Sequence, residues 1–196
     1  MRQTGADFVE ETVPVHTLPG QFVLAERSPS RMVPVLHHGD LVVWDSLAIV
    51  EYLAELFPDA GLWPSAPGDR ARARSACAEM HSGFPSLRAG LPMDIRRSGP
   101  PEQLDKAMRT ELRRLLALWG ELRERAGPNN PFLFGAWCAA DAFFAPMASR
   151  FRSYAIALSD AGQAYVDAVL TWPPVLEWCE AARAETGMTN AVERTE

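Results

Sequence analysis

Arg31-Met32-Val33-Pro34-Val35-Leu36-His37-His38-Gly39-Asp40-Leu41-Val42-Val43-Trp44-Asp45-Ser46-Leu47-Ala48-Ile49-Val50-Glu51-Tyr52-Leu53-Ala54-Glu55-Leu56-Phe57 changes its hydrophobic period partway along. Met32 to Leu36 is an apolar run interrupted by Pro34, which has no backbone N–H and so belongs at a sheet edge or an exposed strand start. His38-Gly39-Asp40 is turn chemistry, with Gly39 free to take a positive φ. Leu41 to Trp44 is the returning strand, so the two runs form an antiparallel hairpin. From Leu47 onward Ile49, Val50, Leu53, Leu56 and Phe57 fall at three- and four-residue spacings, one face of a helix over 47–57. Asp45-Ser46 stands where that helix needs its N-cap.

Outward from this stretch, the segment 8–15 (Phe-Val-Glu-Glu-Thr-Val-Pro-Val) reads as a strand, and 16–30 as loop with one short helical turn over 21–26. Only Met-Arg-Gln-Thr-Gly-Ala-Asp precedes Phe8, and it reads as the tail of a helix closed by Gly5. After Pro58 comes Gly61-Leu62-Trp63-Pro64-Ser65-Ala66-Pro67-Gly68, dense in Pro and Gly, the natural linker between domains. Beyond it everything reads as helix. Ala73, Ala76, Cys77, Met80, Phe84 and Leu87 mark one long helix over 69–89. Leu112, Leu115, Leu116, Trp119 and Leu122 mark an amphipathic helix over 101–126, stopped by Gly127-Pro128-Asn129-Asn130-Pro131. Three more are expected over 139–158, 161–170 and 173–184.

The whole chain has 196 residues, 47% hydrophobic and 22% charged, with a formal net charge of −6. That is ordinary globular composition without the basic stripe a nucleic-acid-binding surface shows. Arginines gather at 70, 72 and 74, at 96 and 97, and at 113 and 114; acidic neighbours on the last helix make it a solvated face. Cys77, Cys138 and Cys179 are odd in number, far apart and in no Cys-x-x-Cys pattern, which suits a reducing cytoplasm rather than a disulfide framework or zinc site. No apolar run reaches membrane-spanning length, and the N-terminus carries no signal-peptide core. His37 and His38, adjacent on a strand, point to opposite faces and do not chelate one metal.

Ser28-Pro29, Val33-Pro34-Val35-Leu36, Asp40, Asp45-Ser46, Ala48-Ile49 and Tyr52-Leu53 together resemble the glutathione-binding half of the cytosolic glutathione S-transferase superfamily. The order and spacing of these residues make the match specific, and the helical remainder extends it over nearly the whole chain. The resemblance implies a thioredoxin-like α/β domain at residues 1–60 and an all-α helical-bundle domain at 69–196. It also implies that the first strand and most of the first helix of the α/β domain are missing, leaving a truncated sheet with a hole in its middle, unpaired backbone groups and an exposed core.

The resemblance implies roles as well. The Val33–Pro34 peptide is cis, turning the Val33 N–H and C=O towards the cysteinyl backbone of glutathione as if to an added strand. Ser46, at a helix N-terminus, holds the γ-glutamyl carboxylate, and Asp45 takes the ammonium where the family often has Glu. An isolated Asp-Ser would be an ordinary cap. His81, Phe84 and Arg88, at i, i+3 and i+7, are candidates for the cleft of a second substrate, or else helix packing with a surface Arg. Arg96, Arg97 and Tyr154 are weaker candidates for an acidic one. Gly135-Ala136-Trp137-Cys138-Ala139-Ala140-Asp141 resembles the family's buried capping box, with Cys138 in place of a hydroxyl residue and Asp141 completing it. The family's thiol-activating Tyr, Ser or Cys follows the first strand, so no catalytic residue is assigned. The implied protein is a cytoplasmic homodimer with glutathione as co-substrate, a small electrophile as partner and no metal, nucleic acid or membrane. It adds glutathione thiolate to that electrophile or uses glutathione to isomerise it. The alternative is a non-catalytic module that keeps the fold for dimerisation or ligand binding.

Overall fold

The computed structural model describes residues 1–127 and 129–185. Pro128, part of the expected helix stop, and 186–196, the end of the expected helical domain, lie outside them. The chain divides into two compact units: residues 1–81 with 138–140, and residues 82–137 with 141 onward.

The first unit opens on a 3-10 turn, Arg2–Thr4, closed by Gly5 in the left-handed conformation (φ 69°). Residues 6–14 then form neither helix nor strand. The strand expected over 8–15 is therefore not formed. An extended segment becomes a strand only when a neighbour's ladder takes its N–H and C=O groups, and the sheet of the described residues has two strands, both later in the chain. Where a short helical turn was expected, α1 (Leu18–Arg27) makes a full helix. Its start signals are Thr17, whose hydroxyl accepts the Gly20 N–H at 3.2 Å and donates to the Pro14 carbonyl at 2.9 Å, and Pro19 in the first turn. Gly20 packs so closely on Pro14 that a Cβ there would stand 2.1 Å from the carbonyl oxygen.

The hairpin follows as expected, with β1 (Val35–His38) antiparallel to β2 (Leu41–Trp44) and Gly39 in the turn at φ 59°. β1 begins after Pro34 rather than at Met32. α2 (Ser46–Leu56) packs on both strands and buries Leu53. α3 (Pro67–Ser82) buries Ala73, Ala76, Cys77 and Met80. It is fastened to α2 by a two-pronged ion pair: Arg74 Nε and Nη2 donate to the two Glu51 carboxylate oxygens at 2.6 and 2.7 Å. Those bonds hold the Arg74 guanidinium still more firmly protonated, against the small effect of burial.

The single helix expected over 69–89 is two. α3 ends at Ser82, Phe84 turns left-handed (φ 58°), and α4 (Pro85–Gly90) starts afresh. Pro85 disfavours helical backbone at the residue before it. In the second unit Phe84 is buried, and α4 takes its cap from another helix: Glu111 of α5 (Lys106–Ala126) accepts the Ser86 and Leu87 N–H groups at 3.1 and 2.8 Å. α5 begins at Lys106 rather than at 101 because Asp105 caps it, accepting the Met108 N–H at 2.8 Å. α6 (Ala139–Ser153) stops short of the expected 158, with Ala155 left-handed at φ 47°. α7 (Asp160–Thr171) and α8 (Pro173–Ala184) stand close to expectation. The core gathers on Trp119, whose ring meets Phe144, Phe151 and Tyr165 at centroid distances of 5.8, 5.5 and 4.7 Å. A second aromatic group has Trp137 stacked on Trp172, 5.0 Å apart and 10° from parallel, with Phe132 edge-on to both. Among the described residues no helix is long and apolar enough to cross a membrane.

Candidate functional site

Val35 lies opposite Trp44 in the hairpin. The residues just outside the ladder, Pro34 on one strand and Asp45 on the other, therefore leave it at the same end. Register alone brings the two sequence motifs together there.

On the β1 side the Val33–Pro34 peptide is cis, as the resemblance implied. Val33 is 53% exposed, and no hydrogen bond among the described residues uses its N–H or its C=O. It presents one donor and one acceptor of an unused strand edge, which an extended peptide can match. On the β2 side Asp45 has φ 74° and ψ 128°, a conformation that costs a non-glycine residue about 1–3 kcal/mol and concentrates at functional sites. One Asp45 oxygen accepts the Leu47 N–H at 2.8 Å and the other meets His81 Nε2 at 2.7 Å. Burial by itself would push the Asp45 carboxyl up. The Leu47 N–H, His81 and the Ala48 N–H outweigh it and hold the carboxyl below the usual range.

Ser46 opens α2, and neither its hydroxyl nor its N–H has a partner among the described residues. Unpaired N–H groups at a helix start, with the partial positive charge of the dipole, suit a carboxylate. A carboxylate seat beside a fixed aspartate is the complement of an α-amino acid head group, and the Val33 edge extends that complement to the peptide behind it.

Val33 also borders a 390 Å³ cavity in the first unit, lined further by Val15, His16, Gln21, Leu24, Arg31 and Met32. The Arg31 and His16 side chains have no hydrogen-bond or ion-pair partner among the described residues. Sequence reasoning missed this group, since 16–30 read as loop with one short helical turn over 21–26. The signal available was Thr17-Leu18-Pro19, a cap and helix start that turns the segment back towards Val33.

The other expected residues are placed as follows. His81 ends on Asp45, while Phe84 lies buried past the break between α3 and α4, so His81, Phe84 and Arg88 do not share one helix face as expected. Arg88 is exposed on α4. Arg97 stacks over the Tyr154 ring at 4.4 Å, and the Tyr154 hydroxyl donates to the Pro92 carbonyl at 3.0 Å. Cys138 is buried immediately before α6. Asp141 is fully buried in its first turn, accepting the Leu133 N–H at 3.1 Å and the Tyr165 hydroxyl at 3.2 Å. His37 and His38 bond to the Arg27 carbonyl and the Tyr52 hydroxyl, at 2.9 and 2.7 Å.

An α/β unit built on a cis-proline hairpin and an open helix start, with an all-helical unit after it, defines a two-domain class of protein. Comparison with known proteins makes it specific. The family described as glutathione S-transferase, N-terminal domain, matches residues 1–56. A crystal structure of a glutathione transferase homolog from Burkholderia with bound glutathione superposes with a TM-score of 0.71 at 28% identity, covering 94% of this chain and 88% of that one. The stringent starvation protein A homolog of Haemophilus ducreyi is 25% identical over 171 residues, 87% of this chain and 75% of its own. Glutathione S-transferase GstB of Escherichia coli is 34% identical over 82 residues, 41% of this chain and 39% of its own. The chain resembles the cytosolic glutathione S-transferase superfamily and has the thioredoxin-like and all-α domains of that fold.

Proposed function

We propose that this chain binds glutathione and brings its thiolate to a small electrophile, by addition, substitution or glutathione-assisted isomerisation. In this reading residues 1–60 are the glutathione-binding domain and 69–196 the helical domain. The γ-glutamyl carboxylate sits on the Ser46 hydroxyl and N–H, its ammonium on Asp45, and the cysteinyl backbone on the N–H and C=O of Val33 beside Pro34. The glycyl carboxylate reaches the cavity where His16 and Arg31 stand. The observation that carries the reading is the unused Val33 edge and the open start of α2 meeting at one end of the hairpin. No thiol-activating residue is assigned. His81 and Arg88 stay candidates for contact with the electrophile, and Cys138 with Asp141 for the structural cap of α6.

The bulk of the support is the fit of one tripeptide to three separate features. Calorimetric titration of the purified chain with glutathione should give a saturable one-site isotherm, and a chlorodinitrobenzene assay should register conjugation above the uncatalysed rate. A flat titration sinks the binding reading; binding without conjugation sinks the transferase step alone. We also place the chain in the cytoplasm as a homodimer, the default symmetry for such chains. Light scattering at micromolar concentration that returns the mass of one chain removes the dimer.

A further inference from the structure

We infer that His81 is a positioning residue for the glutathione head group: it holds the Asp45 carboxylate where the γ-glutamyl ammonium must find it, so that preference for a free α-amino group is set from α3. The inference rests on the proposed role of Asp45 as partner of that ammonium.

Each of the two Asp45 oxygens has a fixed partner. Leu47 N–H takes Oδ1 from within the first turn of α2, and His81 Nε2 meets Oδ2 from α3 at 2.7 Å. A carboxylate held at one oxygen still rotates about its side-chain bonds; held at both it does not. His81 is brought there by the register of the helices. Arg74 and His81 are seven residues apart on α3 and so share a face. Arg74 grips Glu51 and His81 grips Asp45, so stepping forward along α3 means stepping back along α2, and the two helices run antiparallel. The Arg74–Glu51 fork thus fixes the sliding position that puts His81 opposite Asp45.

Stability does not account for the pair. Both side chains are about two-fifths exposed, 40% for His81 and 43% for Asp45, and a polar contact this open to water adds little to folding. The same exposure lets a ligand's ammonium reach the carboxylate. The unfavourable backbone of Asp45 points the same way, because the fold keeps a strained residue and braces it on two sides.

The test compares glutathione with its desamino analogue, in which hydrogen replaces the γ-glutamyl amino group, by calorimetry on the full chain and on His81→Ala, His81→Asn and His81→Gln. His81→Ala should raise the Kd for glutathione about tenfold, within the range for residues that share one hydrogen-bond network, and leave the Kd for the desamino analogue unchanged. His81→Gln, whose amide nitrogen stands near the place of Nε2, should recover most of that loss. His81→Asn, too short to reach Oδ2, should behave as His81→Ala and carries the comparison if the alanine variant does not fold. Equal weakening of both peptides, or of neither, overturns the inference and leaves the proposed function standing. Failure of the unaltered chain to bind glutathione overturns both.

Discussion

Ser46 offers a hydroxyl and an N–H that nothing among the described residues uses, and its substitution is the most direct test of a bound carboxylate. Ser46→Ala should weaken glutathione binding by about 1.5–3 kcal/mol, the scale of a hydrogen bond to a charged group; titration giving equal affinities would remove Ser46 from the site. Its neighbour gives a pH signature. The Asp45 carboxyl titrates below its ordinary range in the folded chain, so the stability it contributes is fully present above the unfolded value of about 3.9 and is lost as pH falls through the lower folded value. Urea unfolding should therefore show the unaltered chain gaining on Asp45→Asn between pH 3 and pH 7, and a difference that ignores pH would contradict the assignment. Val33-Pro34 and Asp45-Ser46 were legible in the sequence because each is a pair of neighbours with its own backbone chemistry. The bond from His81 to Asp45 spans 36 residues and depends on how one helix lies along another, which no local pattern encodes.

Among the elements, those with a continuous apolar stripe or a clean cap were readable: the hairpin, α2, α7 and α8 stand within a residue or a few of their expected bounds. The stripe from Ala73 to Leu87 misled, because it runs unbroken through a point where the backbone is broken. Gly83 and Pro85 were in plain view, and at that point punctuation outranks periodicity. What the sequence did not reveal is the repair. α4 begins without a side-chain cap of its own, and Glu111, from a helix more than twenty residues on, takes two of its orphan N–H groups. Glu111→Gln keeps the shape but leaves one oxygen and no charge for two donors. It should lower stability by about 1–3 kcal/mol, measured as a shifted urea midpoint with an unchanged slope. A midpoint identical to that of the unaltered chain would make the contact incidental. The strand expected over 8–15 failed for the opposite reason: its composition suited a strand, but a strand is a relation between two segments, and among the described residues the sheet pairs only β1 with β2.

At the scale of the molecule the two units differ in what they bury. The second encloses Tyr165, Phe144, Phe151, Leu115, Leu133 and Met147. The first has a two-stranded sheet and leaves Val9, Leu18, Phe22 and Met32 between 68% and 97% exposed. Exposed apolar side chains forfeit most of the stabilisation that burial gives, about 1.5–3 kcal/mol for a large one. Native-state hydrogen exchange should accordingly protect the amides of α5, α6 and α7 longest and those of residues 6–17 least. Uniform protection across the chain would show the two units to be one cooperative whole.

The stacked rings of Trp137 and Trp172 have an optical consequence. Two indoles nearly parallel at 5.0 Å couple their electronic transitions, and a coupled pair in a chiral setting gives a paired positive and negative band in circular dichroism. Both rings belong to the second unit, while Trp44 and Trp63 belong to the first. The chain thus carries a built-in chromophore for one of its halves. During denaturation that paired band reports the second unit, and its loss can be timed against the helical signal of the whole chain without attaching any dye.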